Sequence, residues 1–173
     1  MTAYVALLRG VNLLGGSTLK MTDLKAIAGE LGLRSVQTYI ASGNLLFTSG
    51  KPEEPLRAML EAQLKAHMGR DVCVMLRTAD EMDAAVRSNP FPERRGNNVQ
   101  AFFLNQPPPA DLLETARNQA DDEQVAPGVR EVYVAYGEKG IGRSRLRIPT
   151  AEAGTARNMN TVAKLAALAR ELK

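Results

Sequence analysis

An α+β fold made of two ferredoxin-like halves with antiparallel sheets is predicted by three observations. Over the first half, short β-prone runs and amphipathic helical stretches alternate in the order β-α-β-β-α-β. A segment rich in Pro, Arg and Gly, Pro90 to Asn98, then interrupts the chain. The same grammar returns more faintly after it. The predicted organisation is a first half over 1–77, a helix and linker over 78–97, and a second half with a C-terminal helix over 98–173.

The apolar run Ala3 to Leu8, closed by Arg9-Gly10, reads as a buried strand. After a Gly-bearing loop, Leu24, Ile27, Ala28 and Leu31 recur at helical spacing within Thr22 to Leu31, and Gly32 ends the helix. Val36 to Ile40 and Leu45 to Phe47 form a hairpin across Ala41-Ser-Gly-Asn44, where Gly and Asn accept positive φ. Leu56, Met59, Leu60 and Leu64 mark a helix from Pro52 to Met68, stopped at Gly69, and Val72 to Leu76 is the fourth strand. Thr78-Ala-Asp-Glu81 has capping-box spacing ahead of a short helix through Met82, Ala85 and Val86.

In the second half, the expected elements are a strand at Val99 to Leu104, a helix at Asp111 to Gln119, a weak strand near Glu123 to Ala126 and a strand at Glu131 to Tyr136. No last strand is evident there. The final helix, Arg157 to Leu172, carries the apolar stripe Met159, Val162, Leu165, Ala169 and Leu172, and is expected to pack back on the first half.

The chain has 173 residues, enough to bury about two-thirds of its unfolded surface. With 45% hydrophobic and 24% charged residues it belongs to neither a disordered nor a fibrous class. Charge is uneven: four basic against two acidic residues over 1–50, eleven against fifteen over 51–140, and seven against two over 141–173. If the two ends meet, they make a basic surface suited to an anionic partner. Cys73, the single cysteine, excludes an internal disulfide and a multi-cysteine zinc site, and reads as strand packing. His67, the single histidine, falls on the apolar side of its helix and reads as a partly buried structural residue. No signal peptide and no membrane-length apolar stretch is present, so a cytoplasmic location is expected, with no membrane partner.

Three groups of residues are candidates for chemistry. In Arg9-Gly10-Val-Asn12 through Lys20, a strand end leads into a Gly-containing loop whose backbone N–H groups, with Arg9 and Lys20, could cradle an anion. The spacing is neither a Walker loop nor a dinucleotide fingerprint, and a tight structural loop accounts for the same residues. In Thr155 to Thr161, Arg157, Asn158, Asn160 and Thr161 put more polarity at a helix mouth than a cap requires. Arg157 there opposes the helix dipole and calls for a compensating anion; a polar clasp for the last helix is the structural alternative. Arg143-Ser-Arg145-Leu-Arg147 places three guanidiniums on one face if extended, which suits phosphates, although no aromatic residue is interleaved for base stacking. Ser42-Gly43-Asn44 adds polar groups that its turn explains. No Ser-His-Asp set, Cys–His dyad or metal-ligand spacing can be assembled with the packing intact, so no metal and no cofactor is expected.

Leu7-Leu8-Arg9-Gly10-Val11-Asn12, Lys20-Met21, Thr38 through Asn44, Asn89-Pro90-Phe91 and Thr155 through Thr161 are similar, in order, to the signature blocks of a bacterial family catalogued as domain of unknown function 1697. The resemblance implies a stand-alone cytoplasmic α+β protein with ferredoxin-like halves, and implies no activity. Gly10, Asn12, Ser42, Asn44, Arg157, Asn158 and Asn160 match as signature positions. Leu14 departs from the family's usual Gly-Gly placement, and Met159 stands where an aromatic is typical. The expected function is binding of a small anionic ligand where the Arg9 loop, the Ser42–Asn44 turn and the Arg157 segment converge. An enzyme acting on a phosphorylated or carboxylated small molecule, and nucleic-acid binding through Arg143 to Arg147, are the alternatives.

Overall fold

The computed structural model describes residues 1–12 and 18–172. The elements of the first sheet are β1 (Thr2–Leu8), α1 (Met21–Glu30), β2 (Arg34–Thr38), β3 (Asn44–Ser49), α2 (Glu53–Met68) and β4 (Val74–Thr78). Then come α3 (Ala79–Arg87), β5 (Val99–Phe103), α4 (Leu112–Thr115), β6 (Gln124–Pro127), β7 (Glu131–Ala135), α5 (Pro149–Glu152), β8 (Thr155–Asn158) and α6 (Met159–Glu171). Two four-stranded antiparallel sheets result, ordered β2-β3-β1-β4 and β6-β7-β5-β8. The second order repeats the first element for element, so both halves are α+β units of one topology.

The chain divides into two compact units, Met1–Asp83 with Leu165–Lys173, and Ala84–Lys164. In the first unit, alternation along each strand sends Tyr4, Ala6, Leu8, Leu45, Phe47, Val74 and Leu76 to the face carrying α1 and α2, where they meet Leu24, Ile27, Leu56, Leu60 and Leu64. Tyr4 and Phe47 stack there with ring centroids 5.7 Å apart. The opposite positions, Val5, Leu7, Leu46 and Met75, are buried as well. The latter part of α6 belongs to this unit, and Arg170 reaches Asp83 of α3 at 2.8 Å. The C-terminal helix therefore returns to the first half as expected.

The second unit gathers Leu104, Leu112, Val132, Val134, Tyr136, Ile148 and Ala151 on one side of its sheet. Val99, Ala101, Phe103 and Tyr133 are buried on the other, where the Tyr133 hydroxyl donates to Ala85 O at 2.7 Å.

Several expectations are corrected. The helix expected over Asp111 to Gln119 is a single turn, because Ala116 turns extended and Arg117 exchanges backbone hydrogen bonds of 2.8 and 2.9 Å with Arg147. The last strand of the second half does exist. It is Thr155–Asn158, the segment expected to be a helix mouth, and α6 starts two residues later than expected, at Met159. The short helix α5, opened by Pro149, had no counterpart in the sequence reading. The proposed linker is folded, with Phe91 buried and a 3₁₀ turn at Gly96–Asn98. Cys73 lies just outside β4 and is exposed. His67 sits at an exposed helix rim, 3.5 Å from Asp23. The capping box is real: Thr78 N–H donates to Glu81 at 2.8 Å, and Glu81 N–H to the Thr78 hydroxyl at 3.2 Å.

Leu165 is fully buried. Leu165→Ala is expected to cost about 2–5 kcal/mol in a urea unfolding titration; an unchanged midpoint would make α6 peripheral.

Candidate functional site

Six of the ten sequence-predicted site residues come together at one end of the first unit. Strand β1 ends at Leu8, whose N–H donates to Gly43 O at 2.9 Å in the β2–β3 turn, and exposed Arg9 anchors its own N–H on Cys73 O at 3.0 Å. Asn12 then clamps the loop. Its amide donates to Leu19 O at 2.9 Å and to Ala41 O at 2.6 Å, and its Oδ1 accepts the Leu19 N–H at 2.7 Å. Exposed Lys20 follows directly on Leu19. Across the hairpin, buried Asn44 donates to Tyr39 O at 2.9 Å and to the Ser42 hydroxyl at 3.0 Å. The loop reading over Gly15-Gly16-Ser17 lies outside the described residues.

These two turns hold four left-handed residues: Gly10 (φ 66), Asn12 (φ 59), Ile40 (φ 53) and Gly43 (φ 89). Gly43 is required there, since a Cβ would also overlap the Val11 side chain. Ile40 is the anomaly. A β-branched residue in this conformation is an outlier, and at 48% exposure it gains little from burial. Arg70, which the sequence reading passed over, donates to Gly10 O at 2.8 Å and adds a third basic side chain to this end. Nothing in the sequence marks Ile40 as left-handed, because its neighbours read as an ordinary strand.

The other four predicted residues belong to the second unit. Arg157 lies within a strand and is buried, so the helix-dipole argument made for it does not apply. Its guanidinium donates to the Thr155 hydroxyl at 2.8 Å and to Ala156 O at 2.9 Å, and burial lowers its pKa to about 10. Asn158 caps α6 by accepting the Thr161 N–H at 2.9 Å, and the Asn160 side chain packs on Gly96. Arg77, missed from sequence, occupies the corresponding place in the first unit. It too is buried on an edge strand two residues before a helix, ahead of the cap residue Thr78.

The three guanidiniums of Arg143 to Arg147 are divided. Arg147 pairs with Glu152 at 2.6 Å, while Arg143 and Arg145 line a cavity of about 580 Å³ with Asp122, Glu123, Lys139 and Ser144. Buried Glu123 organises this region, accepting the Ala120 N–H at 3.0 Å and the Ser144 hydroxyl. Burial, and then the charge of Glu123, push the nearby Tyr136 phenol up to about 12.

Two expectations follow. Asn12→Gly should lose about 1–3 kcal/mol from its severed hydrogen bonds, and Asn12→Ala about 1–2 kcal/mol more from the left-handed backbone; equal urea midpoints for the two would argue against the strain. Tyr136 ionises near 10 when unfolded and about 12 when folded, so stability is intact below pH 10 and falls as pH rises towards 12. The loss attributable to this group is roughly 2–3 kcal/mol. Tyr136→Phe should therefore show a shallower alkaline decline in unfolding free energy, and parallel curves would contradict the assignment.

The molecule resembles the conserved bacterial protein SP0830 from Streptococcus pneumoniae, with a TM-score of 0.78 and 23% identity over 97% of this chain and 98% of the other. That likeness concerns the fold. No curated protein matches the sequence. Residues 1–133, which include the Arg9, Lys20 and Ser42–Asn44 blocks and end before Arg157, match the family described as protein of unknown function, DUF1697. On the strength of that match over most of its length, the chain belongs to the DUF1697 family.

Proposed function

We propose that this chain is a binding protein for a small anionic ligand, bearing phosphate or carboxylate, whose charged group meets the Arg9 end of the first unit. The observation that carries the reading is the left-handed Ile40, held between Asn12 and Asn44 on an exposed hairpin beside exposed Arg9. Strain of about 1–3 kcal/mol persists only where the surroundings over-determine it, and such strain concentrates at ligand sites. Arg9, Lys20 and Arg70 give this end a positive sign, and Asn12 and Asn44 make its backbone rigid before any ligand arrives. The asparagines serve as the frame in this reading; the exposed cations and the Ser42 hydroxyl do the recognising. The nucleic-acid alternative is weakened because Arg147 is engaged by Glu152.

Titration with inorganic phosphate and with citrate, followed by thermal shift, tests the proposal. A ligand that binds only the folded chain adds about 2.7 kcal/mol at a hundredfold excess over Kd. Arg9→Ala should lower affinity at least tenfold, with Arg9→Lys retaining part of it; undiminished affinity in Arg9→Ala removes the site. Ile40→Gly relieves about 1–2 kcal/mol of left-handed strain against about 0.5–1 kcal/mol of added backbone freedom. It should be slightly more stable and bind more weakly. A gain in stability with binding unaltered would reduce Ile40 to a turn residue.

A further inference from the structure

The cavity of the second unit has the volume of a small-molecule site, about 580 Å³, and its whole lining comes from residues 118–145 of that unit. Its basic wall is set where a 3₁₀ turn over Ile141–Arg143 passes into extended backbone at Ser144: exposed Arg143 and Arg145 flank half-buried Ser144, and both line the cavity. Lys139 adds a third cation. None of the three makes an ion pair with another described residue.

The opposite wall is acidic and fixed. Both oxygens of Glu123 are engaged, by the Ala120 N–H and by the Ser144 hydroxyl, which in turn accepts the Leu146 N–H at 3.1 Å. Glu123 thus ties residues 119–123 to residues 144–146. Asp122 is different: its Oδ2 accepts the Glu138 N–H at 3.0 Å, and its other oxygen has no hydrogen-bond partner among the described residues. Gly137 makes room for it, since a Cβ there would overlap the Asp122 carboxylate.

From this arrangement we infer a second ligand site, independent of the Arg9 end, that takes the phosphomonoester of a small polyhydroxy compound. Two guanidiniums and an ammonium outweigh the carboxylates of Asp122 and Glu123 and attract a phosphomonoester of charge about −1.5 to −2, with the planar forks of Arg143 and Arg145 suited to paired phosphate oxygens. An ionised carboxylate only accepts hydrogen bonds, so Asp122 selects a ligand that brings hydroxyl donors. The lining contains no aromatic side chain, which favours a sugar phosphate over a nucleotide whose base needs a stacking surface.

Isothermal titration of the full chain with ribose 5-phosphate, inorganic phosphate, ribose and adenosine 5′-monophosphate tests the site. Ribose 5-phosphate is expected to bind at least tenfold more tightly than phosphate and no more weakly than the nucleotide, and ribose alone should give no heat. Replacing Arg143 and Arg145 together by Ala should weaken ribose 5-phosphate at least thirtyfold. Asp122→Asn, which keeps an oxygen for the Glu138 N–H, should erase the preference over inorganic phosphate and leave phosphate affinity unchanged. Arg9→Ala should leave the ribose 5-phosphate affinity unchanged, and weaken only the phosphate bound at the other end, which separates this site from the one proposed above. No heat with ribose 5-phosphate, full ribose 5-phosphate binding in the double variant, or loss of ribose 5-phosphate binding in Arg9→Ala would each overturn the inference. So would salt-dependent binding of single-stranded nucleic acid, abolished in the double variant and tighter than that of the sugar phosphate.

Discussion

Withdrawal of both faces of the inner strands β1, β3 and β7 from water is the constraint on which the rest of the structure depends. A four-stranded sheet with helices on one side usually leaves its other side wet, and its strands then alternate between apolar and polar residues. Here Val5 and Leu7 are as dry as Ala6 and Leu8, and Val99, Ala101 and Phe103 are buried on the face opposite Val132 and Val134. Polar chemistry is thereby kept out of the middle of β1, β3 and β7 and displaced to their ends and to the connecting loops. Both candidate sites lie there, one where β1 meets the β2–β3 turn and the other around the loops that flank β6 and β7.

Arg77 and Arg157 are charges buried nonetheless, on the edge strands β4 and β8. Each sits at the same step of the topology: an edge strand carries a buried arginine, then a cap residue, then a helix. Each guanidinium also donates back to the carbonyl of the preceding residue, Leu76 at 2.8 Å and Ala156 at 2.9 Å. A repeated strand order and a repeated strand-arginine-cap-helix passage are what duplication of one α+β unit would leave behind. The retention of a costly buried charge in both copies points to a shared structural demand at the strand-to-helix passage.

Much of this was legible in the residues. The first unit announced itself through clean helical stripes and the Thr78–Glu81 box, local signals whose physical cause survives in the fold; at the hairpin Gly43 takes the positive φ expected of it, but Asn44 opens β3 and Ile40 takes the other. The second unit was harder because its helices are single turns of four residues, too short for any periodicity to register. Thr155–Asn158 misled for a related reason. Its Thr and Asn have the composition of a helix cap, and only pairing with β5, Phe103 opposite Thr155 and Ala101 opposite Arg157, makes it a strand. Pairing is non-local and leaves no trace in a short window. At the first site, Arg9, Asn12, Ser42 and Asn44 were found as a motif, but the asparagines turned out to be framework. Ile40 and Arg70 went unseen, one because backbone strain carries no sequence signature, the other because its contact with Gly10 spans sixty positions.

The return of α6 to the first unit has a consequence for biosynthesis. A ribosome releases Met1 to Asp83 long before it reaches Leu165, yet the segment from Leu165 onward belongs to the same unit. The core that packs α1 and α2 on the first sheet can form as it emerges, because every residue of it precedes Asp83, but the last segment joins only after the whole of the other unit has been made. Domains that fold one after another as they leave the tunnel are the usual pattern. This chain follows it only in part: its first unit receives its final helical segment after the second unit has emerged, so the order of synthesis and the order of completion differ.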